Sequence, residues 1–308
     1  MAKIAVELEA ALARRAVAGA AGGTAARRLA QGEGWTVADV ICTSGPQDRP
    51  FEEQHANVSV AIVVAGSFQY HGARGKELMT PGSLLLGNCG QCFECRHDHG
   101  VGDRCISFSY TPEYFDRLAW DAGIRGERAG FRVFRLPQLR ALSRLVAQAA
   151  AGLNAPASAP WEEISLELAA EALRLTESHA GQPPDAQPST LARVTRVVRA
   201  IEHHPQAKLT IASLAREAGL SPYHFLRTFQ FLTGVTPHRY ILRARLREAA
   251  RRLVAEPEKI LDIALDCGFG DVSNFNHAFR AEFGVSPRAF MVQEPRKPSE
   301  ILAADFRR

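Results

Sequence analysis

Two stretches in the last third of the chain decide the reading: LTIASLAREAGLSPYHFLRTFQFLTG, residues 209–234, and KILDIALDCGFGDVSNFNHAFRAEFG, residues 259–284. Phe225, Phe229, Gly234, Val235 and Pro237 recur fifty positions later as Phe275, Phe279, Gly284, Val285 and Pro287. Upstream, Ile211, Ala215 and Gly219 recur forty-nine positions later as Ile260, Ala264 and Gly268, so the second copy gains one residue in its turn. Two copies of one supersecondary unit account for this register. In the first copy a short helix through Ile211, Leu214 and Ala215 stops at Gly219, a residue suited to the left-handed position that ends a helix. Ser221 then caps a second helix, and Pro222 fits its first position. Phe225, Phe229 and Leu232 supply the buried face. In the second copy Asp271 is the cap, and Phe275, Phe279 and Phe283 face inward. Helix, tight turn, helix is the arrangement that places its second helix in the major groove of DNA.

Between the copies runs PHRYILRARLREAARRLV, residues 237–254. Leu242, Leu246, Ala249, Ala250 and Leu253 form its apolar stripe. Arg239, Arg243, Arg245, Arg247, Arg251 and Arg252 crowd the remainder. This predicts a connecting helix that holds the two units at a fixed separation. Charge follows the same division. Residues 190–308 hold 19 Lys and Arg against 12 Asp and Glu, and the rest of the chain holds 18 against 21. A basic end behind a mildly acidic one fits a phosphate-bearing partner.

With these motifs in hand, residues 191–292 resemble the two-unit DNA-binding domain of the AraC/XylS family of bacterial transcription regulators. The most specific piece is DIALDCGFGDVSNFNHAFRAEFGVSPRAF. The family often has Arg where this chain has His277, and Lys or Arg at Arg280. The resemblance implies recognition helices in successive major-groove segments on one face of the duplex, about 34 Å apart. Outward positions of the first are Tyr223, His224, Leu226, Arg227 and Gln230; of the second, Ser273, Asn274, Asn276, His277 and Arg280. Tyr223 suits stacking or a thymine methyl. Arg227 suits a guanine edge or a phosphate. Asn suits adenine, and Arg280 a phosphate.

The 308 residues imply about two domains. From Trp35 to Tyr110 the texture is that of short strands: WTVADVICT, VSVAIVVAGSFQY, SLLLGN and CISFSY, separated by Gly, Pro and Asp clusters. Residues 1–34 read as helix and then a Gly-rich turn. LPQLRALSRLVAQAA and WEEISLELAAEALRLTESH read as two amphipathic helices. GQPPDAQPS reads as a linker. The expected fold is α+β: an amino-terminal antiparallel β-barrel with a helical pair, then an all-α domain of two helix-turn-helix units. The expected organisation is a sensor domain over 1–135, a helical pair for dimerisation over 136–180, a linker over 181–189, the DNA-binding domain over 190–292 and a tail over 293–308. The strands and their PG turn resemble, more loosely, the cupin-like regulatory domain typical of the family.

The amino-terminal half carries one chemical cluster, GNCGQCFECRHDHGVGDRCISFSY. Four of the chain's six cysteines fall in it: Cys89, Cys92, Cys95 and Cys105. Such crowding in a chain without a secretion signal favours metal or redox chemistry over disulfides. The candidate zinc ligands are Cys92, Cys95, His97 or His99, and Cys105, with Cys89 as a further donor. On a strand His97 and His99 share a face. Arg96 and Arg104 nearby would instead favour reactive thiols that sense oxidants or electrophiles. Inert reduced cysteines are the third reading. Cys42 and Cys267 read as small core residues, and His55 and His71 as surface or satisfied core groups.

The expectation is a non-enzymatic, cytoplasmic regulator acting as a homodimer on double-stranded operator DNA. It would answer to a small effector, or to zinc or thiol state, and to RNA polymerase if it activates. No acid–base pair stands out, and no apolar run approaches a membrane span. The alternative is a zinc-thiolate alkyl acceptor of the DNA-repair class, which also joins a cysteine-rich module to this kind of DNA-binding domain.

Overall fold

The computed structural model describes residues 3–73, 75–124, 129–178, 187–255 and 258–293. Helix α1 (Lys3–Ala18) leads into β1 (Thr24–Gly32), β2 (Trp35–Cys42), β3 (Phe51–Gln54), β4 (Val58–Gly66), β5 (Phe68–Gly72), β6 (Gly75–Met79), β7 (Leu84–Gly87), β8 (Cys92–Arg96) and β9 (Asp103–Tyr110). Then come α2 (Pro112–Asp121), β10 (Arg135–Leu136), α3 (Arg140–Gly152) and α4 (Trp161–Ser178). The remainder is helical: α5 (Pro188–His203), α6 (Ile211–Ala218), α7 (Pro222–Thr233), α8 (Pro237–Ala255), α9 (Ile260–Asp266), α10 (Val272–Phe283) and α11 (Pro287–Gln293).

The strands form two antiparallel sheets, β1-β2-β9-β4-β7-β10 and β3-β8-β5-β6. Strand β4 is apolar on both sides because both are covered. Val58, Val60 and Ile62 join a core with α2, α3 and α4, whereas Ala61 and Val63 join the cluster shared with the second sheet. Strand β9 divides likewise. Ile106, Phe108 and Tyr110 face the helices, and Cys105 faces the second sheet. The stripes of α3 and α4 therefore pack within the chain: Leu142, Leu145, Val146, Ile164, Leu168 and Leu173 are all buried in that first core.

Strand β1 and helix α2 are among the elements that depart from the sequence expectation. Residues 24–32, expected as turn, are a strand paired along the length of β2. Its sequence, TAARRLAQG, is largely exposed, so it has no apolar alternation to read. Helix α2 was also not anticipated. Thr111 caps it by accepting from the Tyr114 amide, and Pro112 opens it. The expected linker falls mostly outside the described residues, and Pro188 already begins α5. The expected tail lies outside them after Gln293.

Helices α5–α7 and the first half of α8 enclose one core, built on Val194, Val198, Leu214, Phe225, Phe229 and Tyr240. The second half of α8 with α9–α11 encloses another, built on Leu246, Ile263, Phe275, Phe279, Phe283 and Phe290. Leu78 of β6 enters the first core and Ala147 of α3 the second, so both units pack onto the amino-terminal half.

Strand β8 also sets an aromatic stack. Phe93 lies 4.3 Å from the His55 ring, whose Nε2 is 3.0 Å from the Tyr70 hydroxyl and whose Nδ1 is 3.2 Å from Ser59 Oγ. Burial lowers the His55 pKa to about 4. A histidine held neutral contributes stability that is complete above its unfolded value near 6.5 and is lost as pH falls toward 4. Urea unfolding between pH 7 and pH 4.5 is expected to show a loss of about 1–2 kcal/mol from this group, allowing for its partial exposure. His55→Gln is expected to flatten that part of the slope; an unchanged slope would mean the ring is solvated.

Candidate nucleic-acid interface

Each helix-turn-helix unit is shaped by local chemistry. In the first, Thr210 and Ser213 form a reciprocal cap at the start of α6, and Gly219 ends it at φ 63. Ser221 Oγ accepts from the His224 amide and Pro222 opens α7. In the second, Asp271 Oδ1 accepts from the Asn274 amide at 2.7 Å. Gly234 and Gly284 end the two second helices in left-handed conformations. The Phe pairs point inward, Phe225 and Phe229 in one unit and Phe275 and Phe279 in the other, all fully buried.

That burial fixes what faces out. Tyr223, His224, Leu226, Arg227 and Gln230 are exposed on α7, and Ser273, Asn274, Asn276, His277 and Arg280 on α10. Arg227 already has a partner on this face. Its Nη1 donates to the Tyr223 hydroxyl at 3.3 Å, and its guanidinium carbon lies 5.9 Å from the ring centre. Tyr223 is 63% exposed, so the pair is offered to solvent together.

The α8 arginines beyond Arg239 serve a different purpose from a basic surface. Arg245 Nε donates to the Pro205 carbonyl at 2.7 Å, Nη2 to Ala207 at 2.9 Å and Nη1 to Gly268 at 2.9 Å. Those carbonyls belong to the entry of the first unit and the turn of the second. Gly268 sits at φ 85, and a Cβ there would lie 2.8 Å from the Gln206 carbonyl oxygen. Arg247 pairs with Glu202 at 2.6 Å, and Arg251 with Glu248 at 2.7 Å. Arg252 bonds Asp266 at 3.0 Å. Cationic residues left exposed in this half include Arg216, Arg227, Arg239 and Arg280.

The two halves meet across polar contacts. Arg135 Nε binds Glu77 at 2.9 Å and its Nη1 the Thr233 carbonyl at 3.1 Å, at the end of α7. Arg243 Nε binds Glu282 of α10 at 2.7 Å, and also donates to the Gln138 carbonyl. Ser143 of α3 donates to the same Glu282. A cavity of about 210 Å³ opens along this seam, with Leu12, Val63, Val146, Val198, Arg199 and Ala244 in its wall. Arg199 Nη1 is buried and has no hydrogen-bond partner among the described residues.

The cysteine and histidine candidates are divided by strand geometry. Residues 92–96 are strand β8. Three positions along a strand is an odd separation, so Cys92 and Cys95 point to opposite faces. Cys89 and Cys92 are exposed; Cys95 and Cys105 are buried. His97 is buried and His99 half-buried. Instead of gathering the CxxC cysteines, the fold brings His97 to Cys42 and Asp103, all three buried. Sequence reasoning assigned Cys42 to the core and did not consider Asp103. The one signal available was that Asp103 and Cys105 are two apart at the head of a strand. His97 Nε2 is 2.6 Å from Asp103 Oδ1, and Cys105 Sγ donates to Asp103 Oδ2 at 3.3 Å. Burial opposes a charged imidazole, but hydrogen bonds to Asp103 and Cys42 outweigh it and raise His97 to about 9. Burial likewise pushes the Cys42 thiol up, yet the His97 bond and charge bring it below its usual value. Burial pushes Cys95 and Cys105 well up, with Asp103 adding to it.

A family model described as a helix-turn-helix domain matches residues 214–293. The chain is 42% identical over 91 residues to the Probable transcriptional regulator LumQ of Photobacterium leiognathi; the match covers 29% of this chain and 36% of LumQ. It is 27% identical over 252 residues to the HTH-type transcriptional activator RhaS of Salmonella typhimurium, covering 77% of this chain and 86% of RhaS. Among solved structures, a transcriptional regulator of Chromobacterium violaceum with an AraC-type DNA-binding domain is 27% identical, covering 36% of this chain and 99% of that one, at a TM-score of 0.34.

Replacing Arg245 by Met removes three charge-assisted bonds and is expected to cost about 2–4 kcal/mol of stability, read by urea unfolding. On a series of duplexes that vary the spacing between two half-sites, the variant is expected to lose the sharp optimum of the parent chain. Retention of that optimum would show that apolar packing of α8 alone sets the separation.

Proposed function

The chain belongs to the AraC/XylS family of transcription regulators, and we propose that it reads its DNA site with the outward residues of α7 and α10. The carrying observation is that both second helices are anchored by buried phenylalanines and leave a polar face exposed at their first turns. The hydrogen-bonded pair of Arg227 and Tyr223 suits a guanine edge beside a thymine methyl, since the hydroxyl restrains the guanidinium before contact. Asn274 and Asn276 suit adenine edges. Ser273, His277, His224 and Gln230 supply adaptable donors and acceptors, and Arg280, near the end of α10, suits a phosphate.

The amino-terminal domain receives the signal in this reading. Arg135 and Arg243 join it to α7 and α8, and the seam cavity borders α5 and α8. An effector that changes packing there would act on both DNA-binding units together, shifting the balance between arrangements that do and do not fit DNA. Two copies would act on paired sites, joined through the outward face of α4, where Leu166 is 39% exposed. Contact with RNA polymerase follows if the chain activates. No helix among the described residues is long and apolar enough to cross a membrane. The alkyl-acceptor alternative draws no support from the matched relatives, which are regulators by name.

The test begins with duplexes selected from a random pool by the full-length chain. Arg227→Ala is expected to weaken binding to the selected duplex by about 1–3 kcal/mol and to relax the preference at one base pair. Equal weakening on selected and unselected DNA, with a shallower salt dependence, would make Arg227 a phosphate contact.

A further inference from the structure

We propose that Cys42, His97 and Asp103, with Cys105 beside them, form a buried binding site for a thiophilic divalent metal ion of the zinc type. One ligand atom each from Cys42, His97 and Asp103 lies within 4.8 Å of the other two. In a tetrahedral site with bonds of about 2.0–2.3 Å, ligand atoms stand roughly 3.3–3.8 Å apart. The three donors thus need only small movements. Cys105 stands outside this group of three; its Sγ is 3.3 Å from Asp103 Oδ2, and it would join as a fourth donor only by a larger movement. Sulfur, nitrogen and a single carboxylate form a borderline-soft set that favours zinc over calcium or magnesium.

The placement follows from the strand register. Cys42 ends β2 directly opposite Asp103, which begins β9. Cys105 lies two residues on and shares the inward face of Asp103. His97 arrives from the other side, just past β8, so an ion would join the second sheet to the first. The wall around it is apolar, with Val63, Phe68 and Tyr70 in the same cluster as Cys105. Polar groups in such a wall are costly unless compensated, and a dry shell strengthens each metal bond. DNA contact makes no use of these residues.

The site also has a route to the DNA-binding half. His97 and His99 line a narrow cleft with Thr195 of α5. A Cβ on Gly100 would lie 2.4 Å from Arg199 Nη1, also on α5. An ion that fixes the 97–103 segment therefore fixes the surface against which α5 rests. This consequence relies on the regulator reading; the site itself does not, and its test uses no DNA.

The experiment takes the full-length, reduced, metal-stripped protein and titrates it with Co²⁺, then with Zn²⁺. One equivalent of Co²⁺ is expected to produce sulfur-to-cobalt absorption in the near ultraviolet and tetrahedral d–d bands in the visible, all displaced by Zn²⁺. Cys42→Ser and Asp103→Asn are each expected to weaken binding at least about tenfold, and Cys42→Ser to reduce the sulfur band. Cys89→Ser/Cys92→Ser is expected to leave stoichiometry and spectrum intact. Circular dichroism checks the fold of each variant; should Cys42→Ser not fold, Cys105→Ser replaces it. Failure of the folded parent chain to bind either ion would overturn the proposal. So would binding that survives Cys42→Ser and Asp103→Asn but disappears with Cys89 and Cys92.

Discussion

Arg245 holds three backbone carbonyls that come from two different helix-turn-helix units. A guanidinium carries five donors in a rigid plane, so fixing three of them fixes the relative position of the chain segments that supply the acceptors. The arginine is half-buried, and burial lowers its pKa. The unsubstituted backbone of Gly268 completes the joint by lying against Gln206. The faces of α7 and α10 can serve one duplex only because this joint sets the distance between them. Arg239 apart, the α8 arginines are engaged within the chain, so the helix is less a basic surface than a spacer.

Against that rigid pair stands an amino-terminal half that holds the units at both ends. Arg135 reaches the last turn of α7, and Ser143 with Arg243 reaches Glu282 on α10. The amino-terminal half has its own internal tie. Arg104 binds Asp39 through two bonds of 2.8 Å with both side chains buried, joining β9 to β2 on the face of the sheet opposite Cys42. Buried pairs of this kind add little net stability but fix one register over its neighbours.

How much of this the sequence disclosed depends on the range of the interaction. The helix-turn-helix units were legible because their signals are local: Ser221 and Asp271 as caps, Gly219 and Gly268 as stops, phenylalanines at helical spacing. Strands β2 and β4 were legible as Val- and Ile-rich runs, and β9 as an alternation of Ile106, Phe108 and Tyr110 with Ser. Strand β1 was not, since an exposed edge strand needs only backbone pairing and shows Ala and Arg. The cysteine cluster was legible as crowding but not as geometry. Spacing by threes suggests a shared loop, and a strand splits such residues between two faces. Cys42 lies far from the motif in sequence and meets it only through the β2–β9 register. The roles of the α8 arginines were hidden for the same reason, because their acceptors are carbonyls and carboxylates from distant segments.

Glu282 has a further implication for how such chains can be recombined. It sits on α10 beside Phe283, on the side turned away from the exposed row, and takes bonds from α3 and α8 together. Exchanging the carboxy-terminal domain for that of a relative would remove Arg243 and Glu282 but leave Ser143 and the Gln138 carbonyl in place. A chimera joined in the 181–189 segment would therefore inherit half of a two-sided joint. The two halves are modular in sequence yet jointly inherited in structure, and drift on one side of the seam must be matched on the other.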